Sequence, residues 1–449
     1  MVKVSFYGAA QEVTGSCFLF DSGKTKILVD CGMFQCPRFC DLRSQEKFQF
    51  DPKKVAAVFV THAHVDHTGR IPKLIKEGFS GKIFSTHPTR ELARLMLEDS
   101  LGVLEKERKR EGGVLIYGEE DIARAMEFWH GLGYHEKVSV GDFSVRLLDS
   151  GHILGSAMIE FTFQNKKIVV TGDLGNPPTP LLRDPEEVTD ANFLLIEATY
   201  GNREHDDRNF RKLKLERVIE GTIKNGGVLM MPAFSLERTQ ELLFEIYDLM
   251  ESKRIPSVPI FLDSPLAIKA SAIYKKYESF FNKEALLKIK SMGDFFSFPA
   301  IKATFTTEES KAINDVKPPK IIIAGSGMSN GGRIIHHERR YLPNPHSTLM
   351  LVGYQAAGSM GRMIQDGARE VTILGESVPV RAKIETLHGY SAHPDREQLL
   401  AFIEKTRDSL EKLFTTHSEA DSGLFMVQRV RDYMGKVAYA PRYGETYEL

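Results

Sequence analysis

Residues 58–69 read VFVTHAHVDHTG, an apolar run that ends in four polar side chains, His62, His64, Asp66 and His67, within six positions. The run "AAVFVT" has the short apolar, β-branched character of a buried strand. The four groups therefore sit at a strand's carboxyl end, the edge at which open sheets place functional side chains. One histidine there is ordinarily satisfied by hydrogen bonds in a turn. Four potential ligands in six residues point instead to a divalent metal. In a compact loop His62 and His64 can aim at one ion while Asp66 and His67 aim elsewhere. Imidazole with carboxylate suits Zn²⁺, with Mn²⁺ or Fe²⁺ as competitors.

A zinc ion takes about four ligands, so others must arrive from distant parts of the chain. Two further strand ends supply them. "VRLLDSGHILGS" places His152 after a strand and beside glycines that allow close backbone approach. "KIVVTGDLGN" places Asp173 in the same kind of position, and a carboxylate can bridge two ions where one imidazole cannot. Alone, either residue reads as an ordinary polar loop residue; beside the first motif each becomes a ligand candidate.

The rest of the chain fits a soluble α/β protein. Its 449 residues exceed one ordinary core and predict two or three domains. Short β-rich runs fill the first third, interrupted by helical patterns such as "PTRELARLMLEDSLGVLEKERKR" and "EEDIARAMEFWHGL". Beyond "FLLIEATYGN" strands alternate with helices, as parallel strands with crossover helices do. No stretch approaches the ~20 apolar residues of a membrane span, and "MVKVSFYGAA" lacks the features of a signal peptide. The four cysteines, Cys17, Cys31, Cys36 and Cys40, are too few for a disulfide framework and predict a reducing cytoplasm. Their spacing fits no zinc pattern. Net charge is −1, so any nucleic-acid contact needs a local surface. The run "EKERKRE" reads as a solvated helix face.

The order Asp30 in "LVDCG", then "HAHVDH", His152 in "GHILGS" and Asp173 in "TGDLG" resembles the metallo-β-lactamase fold, a four-layer αββα sandwich. That fold hosts many chemistries. Downstream, "LLIEATYG" carries Glu197, "HGYSAHPD" carries His393 and "LFTTHSEAD" carries His417. Deferral of the last ligand past an α/β insertion is similar to the β-CASP nucleases, as are "MPAFSLERTQELL", "IIIAGSGMSNGGRIIHH" and "VGYQAAGSMGR". The resemblance runs from Phe6 into the 410s. It implies a split metallo-β-lactamase domain, 1–206 and 383–449, around a β-CASP domain at 207–382.

The resemblance further implies two zinc ions, one held by His62, His64, His152 and Asp173, the other by Asp66, His67, Asp173 and His417. Asp30 would orient ligands from behind. Asp66, Glu197 and His393 would be catalytic, with His393, polarised by Glu197, protonating the leaving oxygen or holding the scissile phosphate. The expected activity is hydrolysis of single-stranded RNA, mainly endonucleolytic, leaving 3′-hydroxyl and 5′-phosphate ends. Ser326, Gly327 and Met328 in the glycine-rich "AGSGMSNGGR" are candidate phosphate contacts, with Arg238 and, more weakly, Arg333 and Arg362. The loop lacks the Lys-Ser/Thr ending of a nucleotide P-loop. A homodimer is a family-level expectation.

Three other readings compete: a 5′-to-3′ exoribonuclease, a metallo-hydrolase of small molecules, and a non-catalytic RNA-binding scaffold. The insertion argues against the second and the complete ligand set against the third. A di-iron redox enzyme would carry a carboxylate in the first motif and a flavin domain. Two departures stand out. The third downstream motif reads His417-Ser418-Glu419 where relatives carry His-Gly-Glu, and no KH domain precedes the first strand. Histidine at position 393, where DNA-repair relatives carry valine, favours the RNA-acting branch.

Overall fold

The computed structural model describes residues 1–35, 41–205, 210–356 and 358–449. Cys36 and Cys40 lie outside the described residues, as does the expected boundary at 206/207. The chain divides into two compact units, Met1–Glu204 with Ala392–Leu449, and His205–Ser391.

In the first unit the strands before the insertion are β1 (Lys3–Phe6), β2 (Phe18–Asp21), β3 (Lys26–Val29), β4 (Ala57–Phe59), β5 (Lys82–Thr86), β6 (Trp129–Leu132), β7 (Val138–Val140), β8 (Phe143–Asp149), β9 (Ala157–Phe163), β10 (Lys166–Val170) and β11 (Phe193–Glu197). The insertion contributes β12 (Val228–Pro232), β13 (Ile260–Asp263), β14 (Ile301–Ala303), β15 (Lys320–Ala324), β16 (Thr348–Val352), β17 (Glu370–Ile373), β18 (Glu376–Pro379) and β19 (Lys383–Leu387). The first unit then resumes with β20 (Lys412–Thr416), β21 (Val437–Tyr439) and β22 (Thr446–Glu448).

Two seven-stranded sheets form the first unit, ordered β22-β1-β2-β3-β4-β5-β6 and β21-β20-β11-β10-β9-β8-β7. Their facing sides share one apolar layer that includes Phe6, Phe20 and Phe59 from the first sheet and Phe161, Leu195 and Phe414 from the second. The outer side of the second sheet packs on helices Arg396–Lys405 and Ala420–Met434 through Leu399, Ile403, Met426 and Val430. Helix His87–Glu111 covers the other sheet, and the result is the expected αββα sandwich. "EEDIARAMEFWHGL" is not all helix: the helix ends at Phe128 and Trp129–Leu132 becomes an edge strand. The indole of Trp129 donates to Ser85 Oγ on β5, so pairing with the sheet outweighs local helix preference there.

In the second unit six parallel strands run in the order β14-β13-β15-β12-β16-β19. β12, β13, β15 and β16 are buried at every position, as strands covered on both faces require. At the end of β13 the sheet carries a fully buried carboxylate, Asp263. It accepts hydrogen bonds from Thr304 Oγ1 (2.6 Å), Ser310 Oγ (2.6 Å), Arg333 (2.7 Å) and His337 Nε2 (2.7 Å). Burial alone would raise its pKa, but those donors, His337 foremost, outweigh burial and hold the carboxyl well below the usual range. No helix among the described residues is long and apolar enough to cross a membrane.

Because the folded Asp263 is the stronger acid, the stability it contributes is present above its unfolded pKa and is lost as pH falls toward the folded value. Asp263→Ala leaves Arg333 and His337 without their anion and is expected to cost about 3–5 kcal/mol. Calorimetric unfolding of the full chain checks this; an unchanged transition would exclude Asp263 as the anchor of this edge.

Candidate metal centre

Six strand ends meet at the site. β3 and β4 are parallel, and their carboxyl ends deliver Asp30 and the Thr61–His67 stretch. In the second sheet β8 and β10 each pair antiparallel with β9, and β10, β11 and β20 are parallel. The carboxyl ends of β8, β10, β11 and β20 therefore share one edge, carrying His152, Asp173, Glu197 and His417. Register fixes the last pair: Glu197 sits opposite Thr416, and His417 is the next residue.

Asp30 is fully buried and takes a positive φ of 59°. One of its oxygens accepts from the Thr61 N–H (2.8 Å). The other meets Thr61 Oγ1 (2.8 Å), Ser16 Oγ (3.2 Å) and His67 Nδ1 (2.7 Å). Holding Nδ1 in this way leaves His67 Nε2 to face the site. Two glycines let the loops approach this closely. A Cβ on Gly32 would lie 1.5 Å from the Asp66 carbonyl oxygen, and one on Gly172, with φ +55°, would lie 2.6 Å from Thr61 Cβ. The short turn Val65–Thr68, unexpected from the sequence, is what separates Asp66 and His67 from His62 and His64.

The donor atoms of His62, His64, His152 and Asp173 all lie within 4.8 Å of one another. His64 Nδ1 is 3.0 Å from His62 Nε2 and 3.4 Å from His152 Nε2. Asp173 Oδ2 is 3.5 Å from His62 Nε2 and 3.6 Å from His152 Nε2. Tetrahedral ligands at zinc bond lengths stand about 3.3–3.4 Å apart, so these separations fit the edges around one such ion. A second group, Asp66, His67 and His417, meets the same 4.8 Å criterion. His417 Nε2 is 3.9 Å from Asp66 Oδ2 and 3.7 Å from Asp173 Oδ2, and His67 Nε2 is 3.4 Å from Asp173 Oδ1. Asp173 thus borders both groups. The chemistry of this donor set, imidazoles with carboxylates, fits two borderline-hard cations.

Electrostatics agrees. Burial pushes the His62, His64 and His152 imidazoles below their ordinary pKa, so they stand neutral with lone pairs to donate. Burial opposes ionisation of Asp173, yet His417, His67 and His62 outweigh it and hold that carboxyl well below its usual range. Burial likewise opposes a charged His67, but Asp173 and Asp30 raise it. Positive charge is therefore favoured between His67 and Asp173. His67 Nε2 and Asp173 Oδ1 are buried there without a hydrogen-bond partner among the described residues.

Asp173, Glu197 and His393 form a third group of converging donors. Hydrogen bonding marks it as a different device. Glu197 is fully buried, accepts the Leu174 N–H (2.8 Å), and lies 3.0 and 3.1 Å from His393 Nδ1. Burial lowers the His393 pKa, but Glu197 overrides it and lifts the imidazole to about 9. The His393 ring centre lies 4.9 Å from that of His152 and 5.9 Å from that of His417, so the pair borders both donor groups.

Ser418, the departure at the third downstream motif, is buried against Gly423, where a Cβ would come within 2.7 Å of its hydroxyl. In the second unit Ser326, Gly327 and Met328 follow β15. Gln355 Nε2 donates to Gly327 O (3.1 Å) and the Gly361 N–H to Met328 O (3.1 Å). Arg238 is buried, paired with Glu241 and set 5.1 Å over the Tyr390 ring, so it meets a phosphate only if that pair opens. Arg333 is committed to Asp263, and Arg362 pairs with Asp366 on the surface. Sequence reading missed Thr61 and Ser16. Both are common residue types, and only the position of Thr61 directly before the first histidine hinted at its role.

Three family profiles match in chain order: the metallo-beta-lactamase superfamily over residues 10–219, the Beta-Casp domain over 239–364, and a Zn-dependent metallo-hydrolase RNA specificity domain over 377–441. Ribonuclease TTHA0252 of Thermus thermophilus is 36% identical, over 99% of each chain. An RNase J-like protein of Methanocaldococcus jannaschii is 34% identical over 93% of each. Transcription termination factor FttA of the same organism is 31% identical over 98% of this chain and 70% of its own. A solved structure, a protein of unknown function from Enterococcus faecalis, matches at a TM-score of 0.60 over the whole of both chains with 14% identity, a likeness of fold.

Disrupting the frame behind the donors should loosen metal without unfolding the chain. Asp30→Ala or Thr61→Val is expected to lower metal affinity by about 10- to 100-fold. Equilibrium dialysis with elemental analysis measures it, and full metal retention in both variants would exclude the positioning role.

Proposed function

Because this chain belongs to the metallo-β-lactamase superfamily, in its β-CASP ribonuclease branch, and is a metal-dependent nuclease, we propose that it hydrolyses single-stranded RNA with two zinc ions, mainly at internal bonds, leaving 3′-hydroxyl and 5′-phosphate ends. The observation that carries this reading is the Glu197–His393 hydrogen-bonded pair beside two donor groups that Asp173 borders. His62, His64, His152 and Asp173 hold one ion; Asp66, His67, His417 and Asp173 hold the other. When bound, paired divalent ions lower the pKa of water toward 7 and brace phosphate oxygens.

The chain's own groups do the rest. Asp66 is shared between ligation and alignment of the attacking water. Glu197 fixes His393 by Nδ1, and Nε2 donates to the substrate. The stated ends require the 3′-oxygen to leave, and His393 supplies its proton. Ser326, Gly327 and Met328 contact a phosphate through backbone N–H groups and the hydroxyl, with Arg238 as a cation released when Glu241 moves. A cytoplasmic location, a homodimer and the domain limits 1–206, 207–382 and 383–449 belong to the same reading.

End-labelled single-stranded RNA and DNA, incubated with the full chain with and without chelator, test the proposal. Internal RNA products are expected, abolished by chelation and by His62→Ala. Cleavage that survives either treatment would sink the two-metal reading, and dependence on a 5′-monophosphate end would convert it to a 5′-to-3′ exonuclease.

The His393 imidazolium is present below its raised pKa and is lost as pH rises through about 9. The rate should therefore fall on that alkaline limb. Glu197→Gln removes the anion and should move the limb to lower pH. His393→Ala is expected to lower kcat about 10²–10⁴-fold with little change in KM. Initial rates across pH decide, and a limb that stays put in Glu197→Gln removes the acid role.

A further inference from the structure

Parallel strands bring all carboxyl ends of the second unit's sheet to one edge. A pattern repeats along that edge. The residue two positions beyond the strand is Phe234 after β12, Phe305 after β14, Ser326 after β15 and Tyr354 after β16. The three aromatics are 45%, 51% and 43% exposed. Single exposed aromatics are ordinary on a protein surface; three at one offset on one edge form an array.

The array is tied together. Phe234 occupies the space that a side chain on Gly327 would need, since a Cβ there would lie 2.7 Å from its ring. Arg333, anchored on Asp263, donates to the Thr304 carbonyl (3.0 Å) and the Phe305 carbonyl (2.7 Å). Tyr354 immediately precedes Gln355, which bonds Gly327 O. β12 and β16 are neighbours, so the segments that carry Phe234 and Tyr354 leave adjacent strands. Phe305 lies beyond β13 and β15, whose ends carry Ser264 and Ser326.

Between the aromatics the edge offers donors. Among the described residues the N–H groups of Gly327 and Met328 have no acceptor. The Asp263 carboxylate is buried and saturated by its four donors. An amphipathic partner helix needs a continuous apolar stripe, which the intervening serines and glycines interrupt. Aromatic faces alternating with N–H and hydroxyl donors match bases alternating with phosphates.

We propose that Phe234, Phe305 and Tyr354 form a base-stacking platform for single-stranded RNA on the carboxyl edge of the second unit's sheet. The substrate class rests on the ribonuclease reading; the platform rests on the geometry. Stacking of this kind is sequence-tolerant, because every base presents a π-face.

Binding of the full chain to fluorescein-labelled single-stranded RNA, in chelator so that nothing is cut, tests it. Each of Phe234→Ala, Phe305→Ala and Tyr354→Ala should weaken binding about 5- to 100-fold. Phe234→Trp and Tyr354→Phe should restore it. A 2-aminopurine base in the RNA should be quenched by the parent protein and less so by the alanine variants, while blunt duplex RNA, whose bases are already stacked, should bind all alike. Unchanged single-strand affinity, or equal loss for single strand and duplex, overturns the platform. Unchanged affinity with a shift from dimer to monomer on sedimentation also overturns it and assigns the aromatics to a contact between copies. Failure of the parent protein to bind or cut any RNA would instead remove the ribonuclease reading itself.

Discussion

One carboxylate organises the first unit. Asp173 is buried, and its oxygens stand within 3.4–3.7 Å of His62, His67, His152 and His417. A buried anion of this kind is costly unless positive charge surrounds it. The surrounding imidazoles cannot all carry a proton, because burial holds three of the site's histidines neutral. The arrangement suits cations, which supply positive charge without a proton. The frame that enforces it is apolar: the aromatic layer between two sheets fixes strand ends whose loops could not hold so many polar groups by themselves.

The two units use the same geometric device for different purposes. In each, strands run so that their carboxyl ends share an edge, and chemistry-bearing residues lie within a few positions of those ends. In the first unit the edge carries acids and imidazoles. In the second, the equivalent positions carry serines, glycines and aromatics, and the strand-end acid Asp263 is consumed in holding Arg333 and His337. Cation chemistry and neutral contact surface are thus kept in separate units.

Much of this was legible in the residues themselves. His62, His64, Asp66 and His67 announced themselves by density, and His152, Asp173, Glu197, His393 and His417 by standing after apolar strands in a familiar order. What stayed hidden depended on tertiary placement. Thr61 and Ser16 are polar residues like dozens of others until the fold sets both against Asp30. Trp129 read as helix because its partner Ser85 is distant in sequence. Arg238 read as a candidate phosphate contact, yet helix Arg238–Glu251 is buried almost throughout, its polar side chains paired internally, as Glu245 is with Arg211 and Tyr390. Periodicity reports one buried face and is blind to a helix buried on all sides.

The position of His417 in the chain also sets an order in time. His62 through Asp173 emerge during synthesis before the second unit begins, whereas Glu197's partner His393 and the donor His417 follow it. β20, which seats His417 beside Glu197, must add to a sheet whose neighbouring strand β11 was made long before. A nascent chain can therefore assemble the first donor group before the second unit is made, but neither the second group nor the Glu197–His393 pair until that unit has been passed. Donor groups that stand side by side in the fold are thus made on either side of an entire unit, and the set is complete only after that unit has been made.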